Sequence, residues 1–275
     1  AHELGYLALA LEQAGAYIAK LRLSFAQYLD QWRSRQAAEL GWYDPRLMQY
    51  PRSVAITWQT SFDQLQPAAR RLLQRLAWLA PDPIPESLLE TPIPDLATDE
   101  GDPTEALAEL EAYSLVTRAA ERPEFSAHRL VQAVTRHELQ GDGVSERLVE
   151  ALGWVAKAFV GDSADVRSWP VLDPLAPHAR AVAGFADEAG VAEPTASLFS
   201  QLGTLLLSKA TYTEAEPLLR RAQTIDEMNF GQGHPMVAIR LNNLAQLLKT
   251  TNRLEEAEVL MRRALVHAEV KGDEK

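Results

Sequence analysis

Residues 202–222, LGTLLLSKATYTEAEPLLRRA, come back 42 residues later as residues 244–264, LAQLLKTTNRLEEAEVLMRRA. Leu202, Leu205 and Leu206 return as Leu244, Leu247 and Leu248. Glu214-Ala215-Glu216 and Arg220-Arg221-Ala222 return as Glu256-Ala257-Glu258 and Arg262-Arg263-Ala264. A fixed period of this size marks stacked helix hairpins, each of which buries an apolar face against the next. Residues 195–275 are therefore expected to form an α-solenoid with two clear copies of the unit. Solenoids present surfaces to partners, so the pattern points to recognition rather than chemistry.

Upstream of the repeat, residues 143–194 are alanine-rich and helical in pattern, with breaks expected at Trp169-Pro170, Pro174 and Pro177. This helical connector is expected to supply the stacking partner for the first hairpin. Residues 51–142 read as helix, short helix, helix, two-strand hairpin, helix. Ser61 and Thr104 are the expected caps, Leu65, Leu72, Leu76 and Leu79 the buried stripe, and Ser114–Arg118 and Glu124–His128 the strands. That order is the order of a winged-helix-like domain. A proline-rich stretch from Pro81 to Pro94 leaves room for only a short helix at Ser87–Glu90. Residues 1–50 open on Leu4, Leu7, Leu11, Ala14, Ile18, Leu21 and Phe25, one face of an amphipathic helix, then a second helix capped by Ser24, and a loop marked by Gly41, Pro45 and Pro51. The fold class is mainly α, with one small β-hairpin.

The chain has 275 residues, a formal net charge of −11 and no cysteine. The charge disfavours long-range attraction to nucleic acid or anionic membranes. The absence of cysteine removes disulfides and thiolate metal sites, and it fits a cytoplasmic location. No apolar run is long enough for a membrane helix. The chain enters a helical pattern at once and without Met, as a piece of a longer protein would.

The repeat resembles the tetratricopeptide (TPR) family. Gly203, Leu206, Ala215, Leu219 and Ala222 fall where that family places Gly, an aromatic or apolar residue, Ala, an apolar residue and Ala; the second copy has Ala245, Leu248, Ala257, Met261 and Ala264. Small residues at 215, 222, 257 and 264 let paired helices touch. The long Gly231-Gln232-Gly233-His234-Pro235 connection resembles the kinesin-light-chain-like branch of that family. The N-terminal half resembles STAND signalling ATPases. LGYLALALEQAGAYI (Leu4–Ile18) is similar to the end of their NB-ARC module, with Ala8 where the family's Pro meets adenine. SVAITWQTSFDQL (Ser53–Leu65) is similar to the opening of the module's winged helix, and SAHRLVQAV (Ser126–Val134) to its Met-His-Asp region. Only His128 matches that motif, with Ala127 and Arg129 on its flanks.

The resemblance implies that His128 reaches the β-phosphate of ADP in the inactive state of the parent protein, which would cycle ADP and ATP with Mg. No G-x-x-x-x-G-K-[ST] occurs, so no nucleotide cofactor and no ATP hydrolysis are expected of these residues alone; the phosphate cradle would lie in an upstream nucleotide-binding domain of the same chain. His137-Glu138 is not a zinc pair, because position 141 is Gly. Asp95, Asp99, Glu100 and Asp102 lack the spacing of a calcium loop. No nucleophile elbow is present. Residues 104–113, the helix that would enter a DNA groove, carry Glu105, Glu109 and Glu111 and no cation, which leaves only Arg70, Arg71 and Arg75 as a remote route to DNA.

Projected on the repeat, the concave face takes Ser197, Ser200, Gln201, Thr204 and Ser208 from the first hairpin and Asn242, Asn243, Gln246 and Lys249 from the second. Amides and hydroxyls there suit the backbone of an extended protein or peptide ligand. The expected function is the regulatory, protein-binding part of a nucleotide-controlled switch. The alternatives are a TPR scaffold with a degenerate NB-ARC remnant, which Ala8 favours, or a winged-helix transcription regulator. The last helix is expected to leave an apolar flank for a further repeat.

Overall fold

A computed structural model describes residues 8–37, 52–93, 101–139 and 144–269. Leu4, Leu7, Gly41, Pro45, Pro51, Asp95, Asp99, Glu100 and Gly141 lie outside the described residues. The fold is mainly α, as expected: twelve α-helices and one three-stranded sheet among the described residues. The chain divides into two compact units, residues 1–147 and 148–275.

In the first unit, α1 (Ala8–Leu21) and α2 (Phe25–Ala37) precede α3 (Arg52–Phe62), α4 (Pro67–Leu76), α5 (Pro103–Ala112) and α6 (Arg129–Glu138). Ser24 caps α2 as expected: its Oγ accepts from the Gln27 N–H, and Gln27 Oε1 accepts from the Ser24 N–H in return. The buried face of α1 coincides with the expected one only at Ala14 and, half-buried, Ile18. Ala10, Gln13, Ala14 and Tyr17 are buried, while Phe25, at the end of the projected stripe, is 81% exposed. α1 packs against α3, and the Tyr17 ring meets Tyr28 and Tyr113 at 5.7 and 6.3 Å.

Two expected caps move. Ser61 lies inside α3, buried, and α4 starts instead from Gln66 with Pro67 in its first turn. Thr104 does not cap α5; Asp102 does, accepting from the Thr104 N–H at 2.8 Å. The stripe Leu65, Leu72, Leu76 and Leu79 is buried as read. β2 (Val116–Arg118) pairs antiparallel with β3 (Glu124–Ala127), which gives the expected hairpin. A third strand, β1 (Ile84–Pro85), joins β3 on its other edge, through Ile84 opposite Phe125. A two-residue strand carries no periodicity, so no pattern announced it. From α6, the Gln132 amide donates to the Leu76, Leu79 and Ala80 carbonyls, at the end of α4 and in the turn that follows it.

The second unit contains α7 (Glu146–Ala158), α8 (Trp169–Glu188), α9 (Thr195–Ser208), α10 (Tyr212–Phe230), α11 (Pro235–Thr250) and α12 (Leu254–Glu269). α8 is not broken at its prolines. It runs unbroken through Pro174 and Pro177, with Pro170 in its first turn where no N–H is needed. α9 pairs with α10 and α11 with α12; α8 stacks on α9 as α10 stacks on α11. Both hairpins turn alike. Ala210 and Asn252 take left-handed φ values of 59° and 60°, and the next N–H groups, of Thr211 and Arg253, donate back to Leu206 and Leu248. Ala215, Ala222, Ala257 and Ala264 are buried, as the repeat pattern requires. A Cβ on Gly203 would lie 2.7 Å from the Leu219 side chain, so α9 and α10 are as close as glycine allows.

Candidate protein-binding surface

The seam between α9 and α11 is polar at one end and was only partly foreseen. Arg240, buried on α11, donates through Nε to Asp226 Oδ2 at 2.7 Å and through Nη2 to Ser197 Oγ at 2.9 Å. Asp226 is fully buried on α10, and its Oδ1 meets no hydrogen-bond donor among the described residues. The Ser197 hydroxyl donates to Glu193 Oε2 at 3.2 Å, and Glu193 Oε1 stands 4.0 Å from Arg240 Nη2. Two carboxyl groups thus share one guanidinium. Burial, then the neighbouring Asp226 charge, raises the Glu193 pKa above its ordinary value. The bidentate reach of Arg240 fastens α11 to both helices of the preceding hairpin.

Each projected groove residue has a definite place. Ser200 is buried, and its Oγ accepts from Asn243 Nδ2 at 2.9 Å, so Asn243 spends part of its amide on the seam. Thr204 turns its hydroxyl back to the Ser200 carbonyl at 2.8 Å and offers little to a ligand. Asn242, Gln246 and Lys249 on α11, and Gln201 and Ser208 on α9, are exposed. The spacing of Asn242, Gln246 and Lys249 puts them on one side of α11. The surface left open is therefore Gln201, Asn242, Gln246 and Lys249. Ser197, Ser200 and Asn243 form its floor.

The Glu193–Asp226–Arg240 group was missed, although a signal existed. Asp226 stands where the second copy has Ala268, and Arg240 where the first has Leu198. Two charged departures of opposite sign, one from each copy, are what a buried ion pair between neighbouring units looks like in sequence.

In the first unit, His128 is exposed at the start of α6. Its Nδ1 accepts from the Leu130 N–H at 3.2 Å, so the imidazole caps the helix. That bond places the proton of the neutral ring on Nε2. Partial desolvation of the ring at the helix start, then the Arg129 charge, lower the His128 pKa against an opposing pull from Glu12 of α1, so the neutral form prevails at neutral pH. The arginines held in reserve for DNA are otherwise engaged. Arg75 is buried, and Arg70 Nη2 donates to the Phe62 carbonyl at 3.2 Å while its guanidinium stacks 4.8 Å from the Phe62 ring. Arg70 and Arg75 are packed side chains, which weakens the remote route to DNA through them. Among the described residues no group of three His, Asp or Glu could hold a metal, and no helix is long and apolar enough to cross a membrane.

Residues 60–144 match a family described as a domain of unknown function (DUF7779). Over 243 residues the chain is 27% identical to a protein of Hyaloscypha variabilis (strain UAMH 11265 / GT02V1 / F) described as a nucleotide-binding leucine-rich repeat (NLR)-like protein. That match takes in 83% of this chain and 24% of the relative, so the chain spans about a quarter of the protein it resembles. No solved structure matches. Residues 194–268 match the tetratricopeptide repeat, in agreement with the hairpin stack of α9 to α12.

Proposed function

We propose that this chain is the regulatory and ligand-capturing portion of a nucleotide-controlled STAND-type signalling switch, and that its repeat holds an extended segment of a protein partner. The observation that carries the reading is the open row of Asn242, Gln246 and Lys249 beside Gln201, above a floor already fastened by Asn243 and Arg240. Amides that both donate and accept match a peptide backbone, which alternates N–H and C=O. Lys249 adds a charge-assisted contact to an acidic side chain or a C-terminal carboxylate. A rigid floor lowers the ordering cost of capture. The similarity to an NLR-like protein supports the signalling half of the reading.

On the nucleotide side, the chain contributes one group. The Nε2–H of His128 would donate to a phosphate oxygen of ADP, while Nδ1 stays bound to the start of α6. The remaining phosphate contacts, and Mg when ATP is bound, would come from a nucleotide-binding unit outside these residues. ADP held there favours the closed state, and partner capture by the repeat favours the open one; the two ligands bias one equilibrium in opposite directions.

The test is an array of extended peptides probed with the wild-type chain and with the Asn242→Ala, Gln246→Ala double variant. Each amide lost removes about 0.5–1.5 kcal/mol of hydrogen bonding. Binding of the selected peptides should therefore weaken by about 5- to 150-fold at an unchanged melting temperature. Equal binding by a folded double variant would refute this surface.

A further inference from the structure

The group of Glu193, Asp226 and Arg240 holds two acids and one base, so with both acids ionised one negative charge is left over at the edge of the concave face. Arg240 is committed. Its Nε is bound to Asp226 Oδ2 and its Nη2 to Ser197 Oγ, which leaves Glu193 at 4.0 Å, beyond hydrogen-bonding distance. Asp226 has a fully buried side chain, and its Oδ1 meets no donor among the described residues. A buried carboxylate oxygen without a donor carries its whole desolvation cost. The Glu193 and Asp226 carboxyl groups stand within hydrogen-bonding reach of each other, so a proton on Glu193 meets that need when no other donor is present.

Glu193 is the member of the group that is open to solvent. Its side chain is 37% exposed, against 6% for Arg240. It lies one turn before Ser197, whose hydroxyl it accepts from, and so borders the floor of Ser197, Ser200 and Asn243. Lys249, the cation of the open row, sits near the far end of α11, nine residues and roughly 14 Å along the helix from Arg240. The concave face therefore has a surplus acid at one margin and a cation at the other.

We infer that Glu193 and Asp226 form a cation subsite of the concave face, which takes a lysine or arginine side chain of the captured segment. The inference rests on the reading of that face as the capture surface. An incoming ammonium or guanidinium brings several N–H donors, enough for the Glu193 carboxylate and for the Asp226 oxygen behind it. It also cancels the surplus charge, which a neutral amide cannot do. Proton and ligand cation then compete for the same carboxylates. The groups that face Glu193 are Ser197 of α9, Asp226 of α10 and Arg240 of α11. Burial and the Asp226 charge raise the Glu193 pKa, so the proton wins as pH falls and the cation as pH rises.

The test uses the full chain and an array of extended peptides, with each lysine-bearing peptide present also in acetylated form, which keeps the length and removes the charge. At neutral pH, acetylation of one fixed lysine should weaken capture by the wild type about fivefold or more. Glu193→Gln should bind both forms alike, whereas the Asn242→Ala, Gln246→Ala double variant should weaken both by the same factor. Capture of the lysine form should fade as pH is lowered through the raised Glu193 range, and capture of the acetylated form should not. Separately, N-acetyl-lysine methylamide alone is titrated into the chain while the Glu193 carboxyl carbon is followed by NMR, with N-acetyl-norleucine methylamide as the uncharged control. The lysine derivative should lower the Glu193 pKa, and the control should leave it in place. Peptides captured without a fixed cation, or indifferent to acetylation, would overturn the cation subsite and leave the capture surface standing. An unmoved Glu193 pKa would overturn the subsite even where the array returns no binder, an outcome that refutes the capture surface itself.

Discussion

Gly203→Ala is the sharpest probe of how the repeat is held together. A Cβ there would lie 2.7 and 2.8 Å from Leu219 Cγ and Cδ2, and 3.4 Å from the Ala215 carbonyl oxygen. Leu219 has nowhere to retreat, since it is buried in the cluster with Leu244, Leu247 and Leu248. Overpacking of this kind costs about 1–3 kcal/mol. Alanine in a helix interior returns about 1 kcal/mol of that through propensity. The net expectation is a loss of about 1 kcal/mol, or a melting temperature lower by roughly 3–5 °C for a unit of this size. Leu219→Ala alone should cost about 2–5 kcal/mol by opening a cavity. In the double variant the new methyl meets the space the leucine left, so the combined loss should fall short of the sum by about 1 kcal/mol or more. At the positions of Gly203 and Leu219 the second copy carries Ala245 and the more pliant Met261. Denaturant melts of the four proteins close the cycle. A higher melting temperature for Gly203→Ala, or strict additivity, would refute the claim that close contact between α9 and α10 is what requires glycine.

Arg240→Ala should destabilise the second unit by about 3–5 kcal/mol, because it strands the buried Asp226 charge; Arg240→Ala with Asp226→Ala should recover much of that loss in a chemical melt. Glu193 has a folded pKa above its ordinary value, so the stability it contributes is complete below the ordinary carboxylate range and is lost as pH rises through the raised value. Across that window wild-type melting temperature should fall with rising pH, and Glu193→Gln, locked neutral, should flatten that fall. His128→Ala should destabilise α6 by about 0.5–2 kcal/mol through loss of the cap, whereas His128→Asn should keep most of it; in the intact parent both should weaken ADP retention, measured as nucleotide released on denaturation, if the ring donates to phosphate.

The repeat was legible because its signal is periodic and local: the 42-residue return of Leu, Ala and Arg positions assigns helices, pairs them and names the small residues between them. Helix starts were less legible. Ser24 announced its cap correctly, but Asp102 took the role expected of Thr104, and Ser61 was absorbed into α3, since several side chains near a boundary can cap and only the backbone selects one. The unbroken α8 escaped for a related reason. Pro174 and Pro177 each remove one donor, and packing of Leu172, Leu175, Ala179, Val182 and Ala183 outweighs that loss, a balance invisible to propensity. The groove was half legible. Sequence placed Gln201, Asn242, Gln246 and Lys249 on exposed helix faces, but only the approach of α9 to α11 consumed Asn243 and Ser200 in a bond between helices. In the group of Glu193, Asp226 and Arg240, comparison of the two copies marks Asp226 and Arg240 as charged departures, but their meeting with each other and with the more exposed Glu193 belongs to the tertiary level. Charge patterns along a chain report spacing within a helix, whereas which acid meets which guanidinium, and which oxygen is left without a donor, depends on how three helices converge.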